Sequence, residues 1–201
     1  MKITRITYAH GAMGMDWIVA GGDTNIRVPI DFAFFLLEDG QHKILVDAGC
    51  DGIKGFCLRD LISPPEALRR HGVEPEEIGH IIITHGHLDH IEGIRHFPNA
   101  HIYMQKDEYA HSGKYFLPTH TVTTFDETLE PFPGVRIIKI GGHSIGSCIL
   151  EVGDTVMCGD ECYGHYNLEH RVPTPKSRCP EKSLAFIQTY ADRNCILFHQ
   201  P

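Results

Sequence analysis

The chain lacks long hydrophobic runs: no stretch approaches the ~20 consecutive apolar residues of a membrane span. It also lacks an excess of basic residues. With 18 Lys and Arg against 26 Asp and Glu, the formal net charge is -8, which argues against the basic stripe of a nucleic-acid-binding face. The N-terminus, Met1-Lys2-Ile3-Thr4-Arg5-Ile6-Thr7, shows no apolar core followed by a small-residue cleavage site. No secretory leader is therefore expected, and the cytoplasm is the expected compartment. The 7 cysteines are odd in number and include no C-x-x-C pair. Such scattered thiols read as reduced residues, mostly small buried hydrophobes. No repeat or low-complexity segment occurs. The 201 residues suffice for one well-cored domain, expected over residues 1–201. The expectation is a monomer or homodimer that takes a small-molecule substrate and has no nucleic-acid or membrane partner.

What the chain has in excess is histidine, 15 in 201 residues, more than surface decoration would supply. The local patterns give these histidines a frame. Lys2 to Tyr8 alternates as a half-buried strand does. Apolar runs at Ile30–Leu37 and Lys43–Val46 flank Glu38-Asp39-Gly40-Gln41, a hairpin turn. Pro64 to Arg70 reads as a helix with prolines in its first turn, ending at Gly72. Ile81 to Ile83 reads as a buried strand, and Ile91 to His96 as a helix. Ile102–Met104 is a short strand and Gln105–His111 a helix. Val135–Ile140, Ser147–Val152, Thr155–Cys158 and Cys195–Phe198 read as strands. Glu181 to Arg193 has helical spacing, with Leu184, Ile187 and Tyr190 on one stripe. Helices and hairpins mix throughout. An α/β (α+β) fold of two mixed sheets packed face to face, with helices outside, fits this pattern.

Within that frame, Thr84-His85-Gly86-His87-Leu88-Asp89-His90 follows the strand ending at Ile83. Residues two apart in an extended segment face the same side, so His85 and His87 can converge on one cation. Asp89 and His90 turn around the loop and suggest a second cation. Three later strand ends carry residues of the same type: His143 in Gly141-Gly142-His143, Asp160 in Cys158-Gly159-Asp160, and His199 after Ile196-Leu197-Phe198. Three protein nitrogens leave a zinc-type ion an open position. A carboxylate can bridge two ions, and Asp160 is the candidate for that. The arrangement reads as a metal site. Mixed imidazole and carboxylate ligands suit two divalent ions, zinc first, with iron, manganese or cobalt also compatible.

His85-x-His87-x-Asp89-His90 with His143, Asp160 and His199 resembles the ligand set of the metallo-β-lactamase superfamily over nearly the whole chain. The resemblance implies that family's αββα sandwich. It implies one metal held by His85, His87 and His143, a second by Asp89, His90 and His199, and Asp160 shared. Asp47, in Leu45-Val46-Asp47-Ala48-Gly49, matches a family aspartate that lies beneath the metals. His90 after Asp89 resembles the two-metal hydrolase branch, and His87 in place of a glutamate sets the chain apart from flavo-diiron oxidoreductases.

Tyr163, three residues after Asp160, is similar to the tyrosine of the N-acyl homoserine lactonases, whose phenol reaches the substrate carbonyl or oxyanion. Gln105-x-x-Glu108-Tyr109, Asn167-Leu168-Glu169 and Pro180-Glu181-x-Ser183-Leu184 also resemble that subfamily. It implies a lactone-opening, quorum-quenching hydrolase with Asp89 and Tyr163 as catalytic residues. Gln200 departs from the pattern, since those lactonases carry an aspartate after the last histidine. The segment 51–63 is also shorter than the subfamily often has. Met13, Met15, Trp17 and Ile18 form an apolar, Gly-rich segment that either flanks the metal groove or packs on its own domain or on a second subunit. Two other functions fit the ligand set: a glyoxalase II-like thioesterase or other hydrolase of this fold, and a non-catalytic metal-binding sensor.

Overall fold

The computed structural model describes residues 1–200. Its elements are β1 (Lys2–Gly14), α1 (Met15–Ile18), β2 (Arg27–Glu38), β3 (Lys43–Val46), α2 (Pro64–Arg70), β4 (His80–Ile83), α3 (Leu88–Ile91), β5 (His101–Gln105), α4 (Lys106–His111) and β6 (Thr121–Phe125). There follow β7 (Thr128–Phe132), β8 (Val135–Lys139), β9 (Cys148–Val152), β10 (Thr155–Met157), α5 (His165–His170), α6 (Pro180–Tyr190) and β11 (Asn194–Ile196). The chain forms two compact units, Met1–Gly11 with Asp31–Phe125, and Ala12–Ile30 with Asp126 onward. Two mixed sheets with flanking helices give the mixed α/β class that the sequence pattern predicts. Among the described residues no helix is long and apolar enough to cross a membrane.

The six-stranded sheet of the first unit runs β1-β2-β3-β4-β5-β6. The β2–β3 hairpin forms because Asp39 accepts from the amides of Gln41 and His42 at 2.8 and 2.7 Å, while Gly40 supplies a φ of 91°. Ser63 caps α2 by accepting from Glu66 N at 3.4 Å. From β3 to β6 the strands are parallel. Val46 is in register with Ile82, so the residues after β3 and β4 leave the same end of the sheet side by side. Central β4 is apolar because both its neighbours are strands and its Ile81, Ile82 and Ile83 are fully buried.

The second unit holds the five-stranded sheet β11-β10-β9-β8-β7. β8 is antiparallel to β9 and β9 to β10, while β10 is parallel to β11. β8, β10 and β11 therefore point the same way, and the segments following them emerge at one end. Those segments carry His143, Asp160 and His199. Behind them lies a core of Ile149, Val156, Cys158, Cys162, Leu168, Phe186, Ile187 and Leu197.

Several boundaries differ from the sequence reading. The helix expected at Ile91–His96 begins earlier, as α3, and continues as a 3₁₀ turn over Glu92–His96. The last strand stops at Ile196 rather than Phe198. On α6 the fully buried stripe is Ser183, Phe186 and Ile187. Leu184 and Tyr190 lie at its margins. Strands β6 and β7 had no clear signal because each is a sheet edge with an outward face, and β7 contains Pro131, which ordinarily demotes a strand. The Gly-rich segment after Tyr8 is ordered as the end of β1 and α1. Met13 and Ile18 are buried, and the carbonyls of Trp17 and Ile18 accept from Thr174 Oγ1 and Asn167 Nδ2 at 2.6 and 2.7 Å. This segment therefore packs against its own unit. All seven cysteines are free, and four of them are buried.

Candidate metal centre

In the first unit, Asp47 leaves β3 with a φ of 60° and is almost fully buried. A non-glycine residue in this left-handed region is uncommon, and aspartate is among the few that tolerate it. Its carboxylate is the hub of a small network. Oδ1 accepts from Thr84 N at 2.8 Å, and Oδ2 accepts from Thr84 Oγ1 at 2.8 Å and from His90 Nδ1 at 2.6 Å. Burial pushes the Asp47 carboxyl up, opposed by the His90 ring and then by the bonds from Thr84.

This network assigns ring tautomers. Thr84 has one hydroxyl proton and gives it to Asp47, so its oxygen is the acceptor for His85 Nδ1, 3.1 Å away. His90 likewise gives its Nδ1 proton to Asp47. In both rings Nε2 then carries the lone pair, the state that a metal ligand needs. His85 Nε2 stands 3.0 Å from His87 Nδ1. Two nitrogens sharing a tetrahedral zinc at a bond length of ~2.05 Å would be ~3.3 Å apart, so the pair fits a single cation. His90 Nε2 faces Asp89 Oδ2 at 3.6 Å. The Asp89 side chain is partly open to solvent, while its backbone carbonyl accepts from the Tyr8 hydroxyl at 3.1 Å.

The loop between these ligands is held from behind. Gly86 N donates to Glu108 Oε2 at 2.8 Å, and a Cβ at Gly86 would lie 2.4 Å from Ser112 Oγ. Gln105 caps α4 by accepting from Asp107 N at 2.6 Å, which sets Glu108 in place. Gly93 permits the 3₁₀ turn after α3 to approach the loop after β3, since a Cβ there would lie 2.0 Å from the Ala48 carbonyl oxygen. That approach brings His90 to Asp47. A cleft of about 420 Å³ opens beside the motif, lined by Leu88, Tyr115, Phe116 and Leu117 with Arg95 and Lys114.

In the second unit, Asp160 divides its two oxygens. Oδ2 faces His143 Nε2 at 3.5 Å and Oδ1 faces His199 Nε2 at 3.3 Å. Each oxygen thus addresses a different imidazole. The Tyr163 ring stands 5.9 Å from both the His143 and the His199 rings, edge-on to each. All three sequence-predicted ligands of this unit, and Tyr163, therefore come together. His85, His87, Asp89, His90 and Asp47 do the same in the first unit. Convergent imidazole and carboxylate donors, most of them buried, with His87 exposed and Asp89 partly so, and with His85 and His90 in ligand tautomers, fit divalent cations.

Glu161 went unread in the sequence. It is fully buried and accepts from Gly142 N and His143 N at 3.2 Å, from Ser147 Oγ at 2.5 Å and from Ser183 Oγ at 2.8 Å. Burial pushes its carboxyl up, opposed by the bonds from Ser147, Ser183, His143 and Gly142. A lone glutamate between Asp160 and Tyr163 carries no periodic or spacing signal, and its partners lie 14 to 22 residues away.

The metallo-beta-lactamase superfamily model matches residues 33–158. The N-acyl homoserine lactonase AiiA of Bacillus thuringiensis subsp. kurstaki is 30% identical over 167 residues, which span 69% of this chain and 67% of that protein. Metallo-beta-lactamase domain-containing protein 1 of Mus musculus is 38% identical over 131 residues, 62% of this chain and 46% of that protein. Among solved structures, an N-acyl homoserine lactone hydrolase with its product N-hexanoyl-L-homoserine at the catalytic metal center has a TM-score of 0.86, covering 99% of this chain and 93% of that one at 23% identity. AidC, described as a dizinc quorum-quenching lactonase, has a TM-score of 0.80 over 99% of this chain and 87% of its own, at 14% identity. These two structures share the fold. With ligand-type residues after β4, β8, β10 and β11, and a family match running from Ala33 to Cys158, the chain belongs to the metallo-β-lactamase superfamily.

Proposed function

We propose that this chain is a dinuclear metal-dependent hydrolase that opens the ester ring of a lactone, with N-acyl homoserine lactones as the substrate class. In this reading the two units act as halves of one domain. His85, His87 and His143, with Asp160, would hold one divalent ion, and Asp89, His90 and His199 a second, towards which Asp160 would also turn the oxygen that faces His199. Zinc suits this nitrogen-rich donor set. When bound, the ions supply Lewis acidity, polarising the ester carbonyl and lowering the pKa of water.

The protein's own groups do the rest. Asp47 keeps the His85 and His90 rings in the tautomers that present Nε2. The Tyr163 phenol donates to the carbonyl oxygen as negative charge develops there, which is where a preformed donor contributes most. Water adds across the acyl C–O bond: its oxygen joins the carbonyl carbon and the ring oxygen departs. Asp89, buried on one side and open on the other, passes a proton to that departing oxygen, and the product is the open hydroxy acid. The cleft beside Leu88, whose Leu88, Phe116 and Leu117 form an apolar wall beside the charged Glu92, Arg95 and Lys114, is suited to an acyl chain.

The observation that carries the reading is the position of Tyr163, a phenol bracketed at 5.9 Å by the rings of two ligand-type histidines. The 30% identity to curated lactonases supports the same substrate class. Acid release from a panel of lactones by zinc- or manganese-loaded protein tests it. Turnover of acyl homoserine lactones is the expected result. No turnover of any lactone, together with rapid turnover of a thioester, would refute it in favour of a glyoxalase II-like activity.

A further inference from the structure

Asp160 and Glu161 are adjacent carboxylates that point to different tasks. Asp160 faces the imidazoles of His143 and His199. Glu161 faces the backbone that carries His143, taking both the Gly142 and the His143 amides. The loop itself is tied at its base, where Gly141 N donates to Ser147 O at 2.9 Å, and across its turn, where Ser144 N donates to Ser147 Oγ at 3.1 Å. Ser147 then gives its hydroxyl proton to Glu161 at 2.5 Å. On the other side, Ser183 in the first turn of α6 donates to Glu161 at 2.8 Å. The carbonyls of Gly142 and His143 accept from Cys179 N and Arg178 N at 2.8 and 3.2 Å. Gly142 has no room for a side chain: a Cβ there would lie 2.2 Å from Ser183 Oγ and 2.3 Å from Glu161 Oε2. The loop is therefore pressed directly onto the glutamate.

From this geometry we infer that Glu161 is a positioning residue: it holds the His143 imidazole at bridging distance from Asp160 and so sets the metal affinity of the site. Because Glu161 follows Asp160 directly in the chain, any movement of the His143 loop away from Asp160 must break bonds to the residue next door. A buried glutamate with four donors has little freedom to follow. Gly142 and His143 offer amides that would otherwise be buried without acceptors, so the loop also needs this carboxylate. The inference rests on the metal reading proposed above.

The test uses the full chain, first stripped of metal by a chelator, with Glu161→Ala, Glu161→Gln, Ser147→Ala and the buried β8 control Val135→Ala. Three quantities are read: metal-free thermal unfolding, Zn²⁺ and Co²⁺ affinity by competition with a chromophoric chelator, and the visible spectrum of the Co²⁺ form. Glu161→Ala should weaken metal binding about 10–100-fold and alter the Co²⁺ spectrum, as loss of the support behind a ligand does elsewhere. Glu161→Gln keeps the length and two lone pairs, and the Ser183 hydroxyl can turn to accept from its amide, so its loss should stay below about 10-fold. Val135→Ala should lower the unfolding temperature with affinity and spectrum unchanged. Wild-type affinity and spectrum in Glu161→Ala would overturn the inference. If that variant does not fold, Ser147→Ala decides: weakened binding supports the inference, and unchanged binding overturns it. If the wild type itself binds no divalent ion, the metal reading fails, and this inference falls with it by a distinguishable route.

Discussion

Replacing Asp47 tests the network that links β3 to the histidine motif. In Asp47→Ala three donors lose their acceptor: Thr84 N, Thr84 Oγ1 and His90 Nδ1. Each buried donor left unsatisfied costs about 1–3 kcal/mol. The Thr84 hydroxyl can recover by turning to His85 Nδ1, 3.1 Å away, once that ring moves its proton to Nε2, which leaves two. Alanine at a φ of 60° adds about 1–2 kcal/mol of backbone strain. Against this, removing a carboxylate that burial already disfavours returns part of its desolvation cost. The net expectation is a loss of about 3–5 kcal/mol, a large share of the ~5–15 kcal/mol of an ordinary domain.

Asp47→Asn separates stability from metal chemistry. Asparagine tolerates the left-handed backbone and keeps the volume. Its oxygen serves Thr84 N, while its amide nitrogen becomes a donor towards Thr84 Oγ1 and His90 Nδ1. Thr84 must then give its proton to His85 Nδ1. His85 and His90 both move their own proton to Nε2, the atom that faces the site. The variant should fold, lose about 1–2 kcal/mol, and bind zinc about 10–100-fold more weakly. Urea unfolding in the presence of chelator gives the first number, and competition with a chromophoric chelator gives the second. An Asp47→Asn protein with wild-type zinc affinity would refute the tautomer argument, and an Asp47→Ala protein within about 1 kcal/mol of wild type would refute the energetic one.

Other consequences are simpler. Tyr163→Phe should lower kcat on a lactone by about 100-fold with little change in KM, measured by acid release, because the lost donor acts on developing charge. Chelation should lower the unfolding temperature of protein purified with metal. Re-addition of zinc at 1,000 times its Kd should restore about 4 kcal/mol, read by calorimetry. Gly93→Ala should destabilise by about 2–3 kcal/mol in urea, since its Cβ would meet the Ala48 carbonyl at 2.0 Å, a backbone atom that cannot swing aside. Burial tends to raise the Asp51 carboxyl, but bonds from Arg95 and His96 more than offset it and hold the carboxyl below its usual range. A depressed folded-state pKa gives stability that is present above the unfolded value near ~3.9 and is lost as pH falls through the folded one. Wild type should therefore exceed Asp51→Asn by at most ~1 kcal/mol at pH 7, given partial exposure and screening, and the difference should vanish on acidification.

The elements that were readable are those whose signal is local. Pro64-Pro65 after Ser63 announced a helix start, and Glu38-Asp39-Gly40-Gln41 announced a turn, because caps and turns are made by neighbours in the chain. The ligand residues were readable because metal chemistry admits few side chains, and four strand ends each carried them. β6 and β7 were not, because an edge strand with one solvated face and a proline satisfies no strong periodicity. On α6 the expected Ile187 is buried, but the rest of the stripe runs through Ser183 and Phe186 with Leu184 and Tyr190 at its margins, since Ser183 faces inward to reach Glu161.

Asp47 and Glu161 show where that legibility ends. Both are buried carboxylates standing behind metal-type histidines, and both gather three or more donors. Asp47 was identified through a family resemblance, because Leu45-Val46-Asp47-Ala48-Gly49 has a recognisable form. Glu161 had no such help, although its network is the larger. A carboxylate's role is set by what surrounds it. An exposed glutamate after an aspartate and a buried one with four donors are the same two letters. Only topology distinguishes them: β8, β10 and β11 must point one way before the loops after β8 and β10 can meet, and α6 must start close enough for Ser183 to reach in. Ligand identity is thus written in the residue types, while ligand spacing is written in the pairing of strands far apart in sequence. A variant that alters the second while sparing the first, as Glu161→Ala and Ser147→Ala do, should change affinity with every ligand still in place.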